Sequence, residues 1–318
     1  MIKIVILDGH TLNPGDLSWD KLKSLSHTTI YPNSTKENVL ERAQQADILV
    51  VNKFILNEKL LKQLPHLKYI CVSATGYNNV DLAFCKKNKI PVSNVSGYGT
   101  PAVTQHVFAL LFSITNQIET YNQEIQNGVW SKQENFSYWN FPIQEIYGKV
   151  MGIYGFGKIG KAVAQAALGF EMEVIAFHKY PERDQMEGVE FVDMDTLFNQ
   201  SDVLSLHAPL NAQSEGIISI DNLKKMKSSA ILINTGRGGL INEPDLKLAL
   251  ENNIIAAAGL DVLSQEPPPP DHVLFGIKNC IITPHQAWGT QAARRRLLNE
   301  VTKNIEGFLK GKIRNEVS

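Results

Sequence analysis

Short apolar runs alternate with amphipathic stretches along the whole chain, and this alternation restricts the fold more than any other feature of the sequence. In the first hundred residues, strands are predicted at residues 2–7, 48–51, 69–72 and 91–93, with helical patterns between them. Alternation of this kind is typical of βαβ units and of a parallel sheet. The first third of the chain is therefore predicted to form an α/β unit.

A second series of the same kind begins at Val150. Its strands are predicted at residues 150–154, 173–177, 203–206, 231–234, 254–259 and 280–283. Six strands match a complete doubly wound nucleotide-binding sheet. Residues 101–126 are predicted as one long helix before this sheet and residues 128–148 as an irregular connection, while residues 290–309 form a final helix.

The overall composition excludes several classes of protein. The 318 residues include 31 basic and 32 acidic side chains, so there is no basic field for nucleic acid or for an acidic membrane surface. No apolar run approaches the ~18–20 residues needed to span a bilayer. The three cysteines, Cys71, Cys85 and Cys280, are few and widely spaced, which favours a reducing compartment. A cytoplasmic protein with two domains is expected.

A glycine-rich turn follows the first strand of the second series directly. It reads Gly155-Phe156-Gly157-Lys158-Ile159-Gly160 and opens a predicted helix at residues 158–168. The first glycine permits a tight turn, the second lets the backbone approach a pyrophosphate, and the third lets helix and strand pack closely. The helix N-terminus supplies amide donors to the phosphates. The sequence therefore predicts a dinucleotide site here.

The residues after the next strand leave the choice between NAD and NADP open. An acidic residue about 20 positions after the glycines usually binds the adenosine ribose of NAD. Here the strand is followed by His178-Lys179, and no carboxylate occupies that place. Lys179 could favour the 2′-phosphate of NADP, or His178 could bind the ribose while Lys179 is merely a solvated charge.

Three polar residues near the ends of later strands suggest the chemistry. Arg237 lies in a glycine-rich turn after residues 231–234, Glu266 follows the next strand, and His285 follows the last one. Ligands of open α/β sheets bind at the carboxyl ends of the strands. Each residue alone could be structural, but their shared position favours a functional site.

Hydride exchange between a 2-keto acid and a 2-hydroxy acid requires these residue types. An arginine can hold the substrate carboxylate with two hydrogen bonds, which suits Arg237. A histidine can exchange a proton near neutral pH, which suits His285, and a paired carboxylate such as Glu266 would fix its ring. Asp261 is a fourth candidate, beside the nicotinamide or capping a turn. No metal site is expected, because no HExxH or clustered Cys/His spacing is present.

These residues resemble the D-isomer-specific 2-hydroxyacid dehydrogenase family over essentially the whole chain, and most closely its glycerate dehydrogenase (hydroxypyruvate reductase) branch. The matching blocks are residues 74–81, the GxGxxG turn, residues 207–210, 234–238 and 259–262, Glu266-Pro267 and residues 283–285. Residues 95–100, Gln105-His106, residues 138–142 and 285–288 are the features that favour the branch.

The resemblance implies roles for further residues. The loop Ala74-Thr75-Gly76 would hold the substrate carboxylate together with Arg237, and Trp288 would either wall the pocket or pack between domains. The remaining residues that the resemblance assigns to the cofactor are Thr104, Lys158, Ile159, His207, Ala208, Pro209, Thr235, Gly236 and Asp261.

The resemblance also implies an architecture and a substrate class. Two Rossmann-like or flavodoxin-like parallel-sheet domains would form the active site in the cleft between them. Residues 1–100 plus 288–318 would bind the substrate and residues 101–287 the dinucleotide, in a homodimer. Residues 72–81 contain no Lys or Arg, which favours hydroxypyruvate or glyoxylate over a phosphorylated acid. The alternatives are a D-lactate or aromatic 2-hydroxyacid dehydrogenase, and a non-enzymatic NAD(H)-sensing corepressor-like protein.

Overall fold

The chain divides into two compact units in the computed structural model, which describes all 318 residues. The first unit consists of Met1–Gly99 and Gly289–Ser318, and the second of Thr100–Trp288. Each unit is built on one parallel sheet with helices packed against it. The prediction of an α/β fold with two parallel sheets is confirmed.

The first unit has a five-stranded sheet. Its strands are β1 (Lys3–Ile6), β2 (His27–Ile30), β3 (Ile48–Val51), β4 (Tyr69–Val72) and β5 (Val92–Ser93), in the order β2-β1-β3-β4-β5. This is the flavodoxin-like order. The helices before the crossover to the second unit are α1 (Gly9–Leu12), α2 (Asp20–Lys23), α3 (Val39–Ala43), α4 (Glu58–Leu61) and α5 (Leu82–Lys87). Strand β2 was not predicted, since an edge strand of partly exposed residues has no continuous apolar run.

The second unit has a seven-stranded sheet. Its strands are β6 (Val150–Tyr154), β7 (Glu173–Phe177), β8 (Val189–Phe191), β9 (Val203–Leu206), β10 (Ile231–Asn234), β11 (Ala257–Leu260) and β12 (Cys280–Ile282). They lie in the order β12-β11-β10-β9-β6-β7-β8, so the chain reverses its direction across the sheet beside β6. Ligands of doubly wound sheets bind at this reversal. The short edge strand β8 is the one that the sequence prediction missed.

Seven helices complete the fold. They are α6 (Thr100–Asn116), α7 (Ile118–Gln126), α8 (Lys158–Gly169), α9 (Met194–Gln200), α10 (Ile220–Leu223), α11 (Glu243–Glu251) and, in the first unit, α12 (Gln291–Leu309). Two 3-10 turns lie at Trp130–Lys132 and Gly238–Leu240. The single helix predicted over residues 101–126 was wrong. Gln117 adopts a left-handed backbone conformation with φ of 50°, which separates α6 from α7.

Apolar side chains cover both faces of the second unit's sheet. One face packs against α9 and α11, while the other packs against α6 and α8. In the first unit, the C-terminal helix α12 returns to the sheet, where Phe308 stacks on Tyr69 with ring centroids 4.5 Å apart. None of the helices is both long and apolar enough to cross a membrane.

Candidate active site

The glycine-rich turn joins β6 to α8 at the centre of the second unit's sheet. Gly155 has φ of 97°, and a Cβ there would lie 2.5 Å from the backbone nitrogen of Ala208. Only glycine fits this combination of a left-handed backbone and a close approach. The turn is thereby pressed against the loop after β9, which carries the predicted cofactor residues His207, Ala208 and Pro209.

The space around this turn fits a dinucleotide. A Cβ added to Gly157 would meet no atom within 4 Å, so the backbone is open where α8 begins with Lys158 and Ile159. The hydroxyl oxygen of Thr235 is buried and has no hydrogen-bond partner within the protein. A ligand with polar oxygens on this side of the sheet could provide one. We therefore expect Thr235, with Gly236, to contact the cofactor.

His207 is an uncharged member of this group. Its Nε2 lies 2.8 Å from the Ser205 hydroxyl, and burial lowers the pKa of His207 to about 3. The ring is therefore neutral at physiological pH. If His207 contacts the cofactor as predicted, it therefore brings no positive charge.

The segment after β7 contains a carboxylate, that of Asp184, which the sequence pattern did not reveal. His178 Nδ1 accepts a hydrogen bond from the Phe156 backbone nitrogen at 3.2 Å, and its Nε2 lies 3.0 Å from Asp184 Oδ2. Asp184 also accepts from Lys161 at 2.8 Å and from Arg183 at 2.7 Å. These cations hold the pKa of Asp184 well below its usual range. His178 thus connects the glycine-rich turn to Asp184, which follows His178 by six positions.

Two cations lie on an aromatic ring beside this group. The Nζ of Lys179 is 5.4 Å from the ring centroid of Tyr180, and the guanidinium carbon of Arg183 is 5.2 Å from it. Both side chains are exposed. The segment after β7 therefore combines positive charge with the carboxylate of Asp184, which is already paired.

The Arg237 turn is organised by the last residue of β10. The buried Asn234 donates from Nδ2 to the Arg237 carbonyl at 2.9 Å, while its Oδ1 accepts from the Gly236 nitrogen at 3.0 Å. The guanidinium of Arg237 is exposed and donates to the Gly236 carbonyl at 2.8 Å. The side chain of Arg237 is therefore presented at the carboxyl end of the sheet, within reach of solvent.

His285 and Glu266 form a close pair. The Nδ1 atom of His285 lies 2.6 Å from Glu266 Oε2, and both side chains are partly exposed. A carboxylate at this distance fixes the ring and defines which nitrogen faces it. The pairing that the sequence suggested, between residues 19 positions apart, is present in the structure.

Asp261 holds the turn on which His285 lies. Its carboxylate is buried and accepts from the Thr283 hydroxyl at 2.6 Å, the Gln286 nitrogen at 2.9 Å and the Ala287 nitrogen at 2.8 Å. His285 itself has φ of 51°, which is unusual for a residue with a side chain. Asp261 therefore stabilises a strained turn, while its predicted contact with the cofactor stays a prediction.

His106 joins this network from helix α6. Its Nε2 lies 2.9 Å from the Thr283 hydroxyl and 3.4 Å from Asp261 Oδ1. In the sequence, His106 is only one of the features that favour the glycerate dehydrogenase branch. Its role in the network arises because α6 packs across β10 and β11, which no local pattern reveals.

The loop Ala74-Thr75-Gly76 follows β4 in the first unit. Asn94 donates to the Thr75 carbonyl at 2.7 Å, and the Thr75 hydroxyl donates to the Val95 carbonyl at 3.1 Å. The loop is therefore fixed from the segment after β5. Its predicted role, binding the substrate carboxylate, remains a prediction.

The remaining predicted residues lie in several places. Thr104 is on α6, where its hydroxyl donates to the Thr100 carbonyl at 2.9 Å, and Trp288 is the last residue of the second unit. The roles predicted for them are not tested by these contacts. The chain contains no group of three or more His, Cys, Asp or Glu side chains arranged to hold a metal ion.

Known proteins match the chain along its length. The family described as "D-isomer specific 2-hydroxyacid dehydrogenase, NAD binding domain" matches residues 108–287. A hydroxypyruvate reductase of Blautia hydrogenotrophica is 41% identical, with 100% of each chain covered. A glycerate dehydrogenase of Methylorubrum extorquens is also 41% identical, with 89% of each chain covered. Among solved structures, an acyclic imino acid reductase in complex with NADPH and D-Arg has a TM-score of 0.88 and 33% identity, with complete coverage of both chains.

The doubly wound sheet with its glycine-rich turn defines a dinucleotide-binding oxidoreductase. The chain belongs to the D-isomer specific 2-hydroxyacid dehydrogenase family. It is an NAD(P)-dependent enzyme that interconverts small 2-keto and 2-hydroxy acids. The predictions of the family, the reaction class and a nicotinamide cofactor are confirmed, and the reading as a non-enzymatic sensor is not favoured.

Proposed function

We propose that this enzyme reduces hydroxypyruvate to D-glycerate and uses glyoxylate as a second substrate. The observation that carries the proposal is the His285–Glu266 pair at 2.6 Å, in the same unit as an exposed Arg237. The second unit would bind the dinucleotide, and the first unit would contribute substrate contacts through Thr75 and Gly76. The names of the two relatives at 41% identity support this choice of acid.

Each of the three residues has a distinct task under this proposal. Arg237 binds the carboxylate of the keto acid with its planar pair of donors. Since Glu266 faces Nδ1 of His285, the opposite nitrogen, Nε2, is the one that gives a proton to the carbonyl oxygen during reduction. Glu266 fixes the orientation of the ring for that transfer. The nicotinamide, when bound, supplies the hydride to the carbonyl carbon.

The size and charge of the substrate are constrained by the loop around Thr75. Residues 72–81 contain no Lys or Arg, so a phosphate or second carboxylate would have no cation in that loop. Removing such an anion from water without a partner is costly. This supports a small, singly charged acid. Trp288 would favour the same choice if it lies against the substrate.

A matrix of four keto acids against NADH and NADPH tests the proposal. Hydroxypyruvate and glyoxylate are expected to give a kcat/KM at least ~10-fold above that of pyruvate and phenylpyruvate, a difference of about 1.4 kcal/mol in transition-state binding. Preference for pyruvate or phenylpyruvate would instead identify a D-lactate or aromatic 2-hydroxyacid dehydrogenase. Absence of turnover with every acid would favour a sensor protein.

The same matrix decides the preferred cofactor, and we propose that NADPH competes effectively with NADH. The supporting observation is the exposed pair Lys179 and Arg183 beside His178, where a 2′-phosphate would meet positive charge. The only carboxylate that contacts His178, that of Asp184, is already paired with Lys161 and Arg183. A kcat/KM for NADH more than a hundredfold above that for NADPH would refute this preference.

We also propose that the protein is a homodimer, on the basis of an exposed aromatic segment. We define the arm as residues 117–148, which leave α6 and return to β6. Large apolar side chains of the arm lie largely in solvent: Ile118 (67% exposed), Ile125 (40%), Trp130 (48%), Phe136 (89%), Trp139 (70%), Ile143 (51%) and Tyr147 (63%). A segment that exposes this many large apolar side chains usually marks an interface.

The arm is ordered by contacts within itself. The Tyr121 hydroxyl donates to the Phe141 carbonyl at 3.0 Å, and Trp130 Nε1 donates to the Phe136 carbonyl at 2.9 Å. The second unit also carries an apolar groove of about 600 Å³ between α6 and α8, lined by residues that include Pro101, Phe108, Phe112 and Phe170. An arm and a groove on one chain allow a closed symmetric dimer in which each arm covers the partner's groove.

Replacing Phe136 and Trp139 together with serine is expected to convert the dimer to a monomer. The change removes the two most exposed aromatic rings of the arm without disturbing its internal hydrogen bonds. Light scattering coupled to size exclusion measures the mass. Leu248→Ser is the matched control, since Leu248 is 48% exposed on α11 outside the arm. A monomeric unmodified protein, or an undiminished dimer in the double variant, would contradict the proposed interface.

We propose a reducing compartment, the cytoplasm, for this protein. The three cysteines are free thiols, and Cys71 and Cys85 are buried. Burial raises the pKa of Cys71 to about 12 and that of Cys85 to about 11, which keeps both as unreactive thiols. A fold without disulfides supports this location.

A further inference from the structure

We propose that Glu243 is a positioning residue of the active site, which fixes the loop that carries Glu266 and so keeps Glu266 against His285. The inference rests on the proposed acid–base role of that pair. Glu243 is the first residue of α11 and follows the Arg237 turn by six positions. It was not predicted from the sequence, where it looks like an ordinary acidic residue in the first turn of a helix.

The carboxylate of Glu243 is buried and directed at the loop after β11. Only 8% of the residue is exposed. Its Oε1 accepts from the Ser264 backbone nitrogen at 2.7 Å, and its Oε2 accepts from the Ser264 hydroxyl at 2.5 Å. A buried carboxylate is costly unless donors such as these compensate for the lost water. Ser264 is therefore held by both of its donors at once.

A second contact fixes the far end of the same loop. His272, which is 8% exposed, lies with its Nε2 3.2 Å from Glu243 Oε2. Its Nδ1 accepts from the Leu274 backbone nitrogen at 3.4 Å, so the proton of a neutral ring belongs on Nε2, which donates to Glu243. Glu243 thus binds the loop at residues 264 and 272, on either side of Glu266.

Leu263 connects Ser264, which Glu243 fixes, to the carboxylate of Glu266. Leu263, next to Ser264, donates its backbone nitrogen to Glu266 Oε1 at 3.1 Å, while Oε2 of the same carboxylate faces His285. The Leu263–Ser264 peptide is also pressed against the Arg237 turn, because a Cβ on Gly238 would lie 1.9 Å from the Leu263 carbonyl carbon. A shift of Ser264 would therefore move both oxygens of Glu266.

A double-mutant cycle distinguishes positioning from a general contribution to stability. The four proteins are the unmodified enzyme, Glu243→Ala, Glu266→Gln and the combination, each assayed with the keto acid that gives the highest kcat/KM. Glu243→Ala alone is expected to lower kcat about 10- to 100-fold, as a displacement of about 1 Å at an active site does. In the Glu266→Gln background the same change is expected to cost less than about 3-fold, since residues that act as a unit are not additive.

Two further variants separate the possible outcomes. Ser264→Ala removes one donor to Glu243 and is expected to lower kcat by about 3- to 10-fold, again only when Glu266 is present; it serves as the test if Glu243→Ala does not fold. Ser201→Ala is the matched control, since Ser201 is fully buried and donates to the Leu197 carbonyl at 2.5 Å, away from this loop. It should lower the Tm but not kcat.

Losses that multiply across the cycle, or an unchanged kcat in Glu243→Ala and Ser264→Ala, would overturn the positioning role. An unchanged kcat in Glu266→Gln would instead refute the proposed acid–base pair, and the positioning role with it. Fluorescence titration of NADH and NADPH provides a measurement independent of turnover. The Kd of either nucleotide is expected to stay within about 2-fold in Glu243→Ala, because the contacts of Glu243 lie in the Glu266 loop.

Discussion

Replacing His285 with alanine is expected to lower kcat for reduction of the keto acid at least ~100-fold, which is within the usual contribution of general acid–base catalysis. The reason is the loss of the group that we propose as the proton donor to the carbonyl oxygen, where negative charge develops during reduction. The imidazole is held for this by Glu266 at 2.6 Å and by a turn in which His285 has φ of 51°. Steady-state assays under saturating NADH or NADPH measure the effect.

His66→Ala is the matched control for this prediction. His66 is an exposed histidine in the first unit, and its replacement should leave kcat unchanged. A His285→Ala enzyme that retained near-normal turnover would refute the assigned role. Nucleotide affinity measured by fluorescence should be preserved, since His285 is assigned to the proton and not to the cofactor.

Replacing Arg237 with alanine is expected to lower kcat/KM for the keto acid about 100- to 1000-fold while leaving the Kd for NADH and NADPH nearly unchanged. Hydrogen bonds to charged groups are each worth about 1.5–3 kcal/mol, and a bidentate arginine makes two of them to a carboxylate. The exposed guanidinium, bonded only to the neighbouring Gly236 carbonyl, is free to turn toward a ligand. Kinetics with varied keto acid and a separate nucleotide titration measure the two quantities.

Arg237→Lys is the informative companion to this variant. It keeps the positive charge but loses the planar pair of donors, so an intermediate loss of kcat/KM is expected. The assignment would be wrong if nucleotide affinity collapsed while the KM for the keto acid stayed constant. Arg237 would then belong to the cofactor site.

Much of the fold could be predicted because continuous apolar runs mark buried strands directly. The central strands β3, β4, β6, β7, β9 and β10 coincide with the predicted runs. The edge strands β2 and β8 were missed, because their residues are partly exposed and neither strand contains a continuous apolar run. Helix α6 was extended too far, since nothing in the periodicity reveals the left-handed backbone at Gln117.

Local patterns predicted the candidate site residues that follow the ends of strands. Arg237, Glu266 and His285 were identified because parallel strands end at one edge of a sheet, and the His285–Glu266 contact agrees with that expectation. Local patterns could not find Asp184 or Glu243. The carboxylate of Asp184 contacts His178, and that of Glu243 contacts His272. The tertiary fold brings each pair together.

The sequence alone therefore determined the α/β class, the glycine-rich turn and the three polar residues after the strands, because hydrophobic period and turn chemistry are local properties. Only the tertiary structure decided which carboxylates face His178 and His272. It places the carboxylate of Asp261 against the backbone of the turn that carries His285. It also places the carboxylate of Glu243 against the backbone of the loop that carries Glu266. Buried charges need donors that come from distant segments, and packing rather than sequence spacing selects those donors.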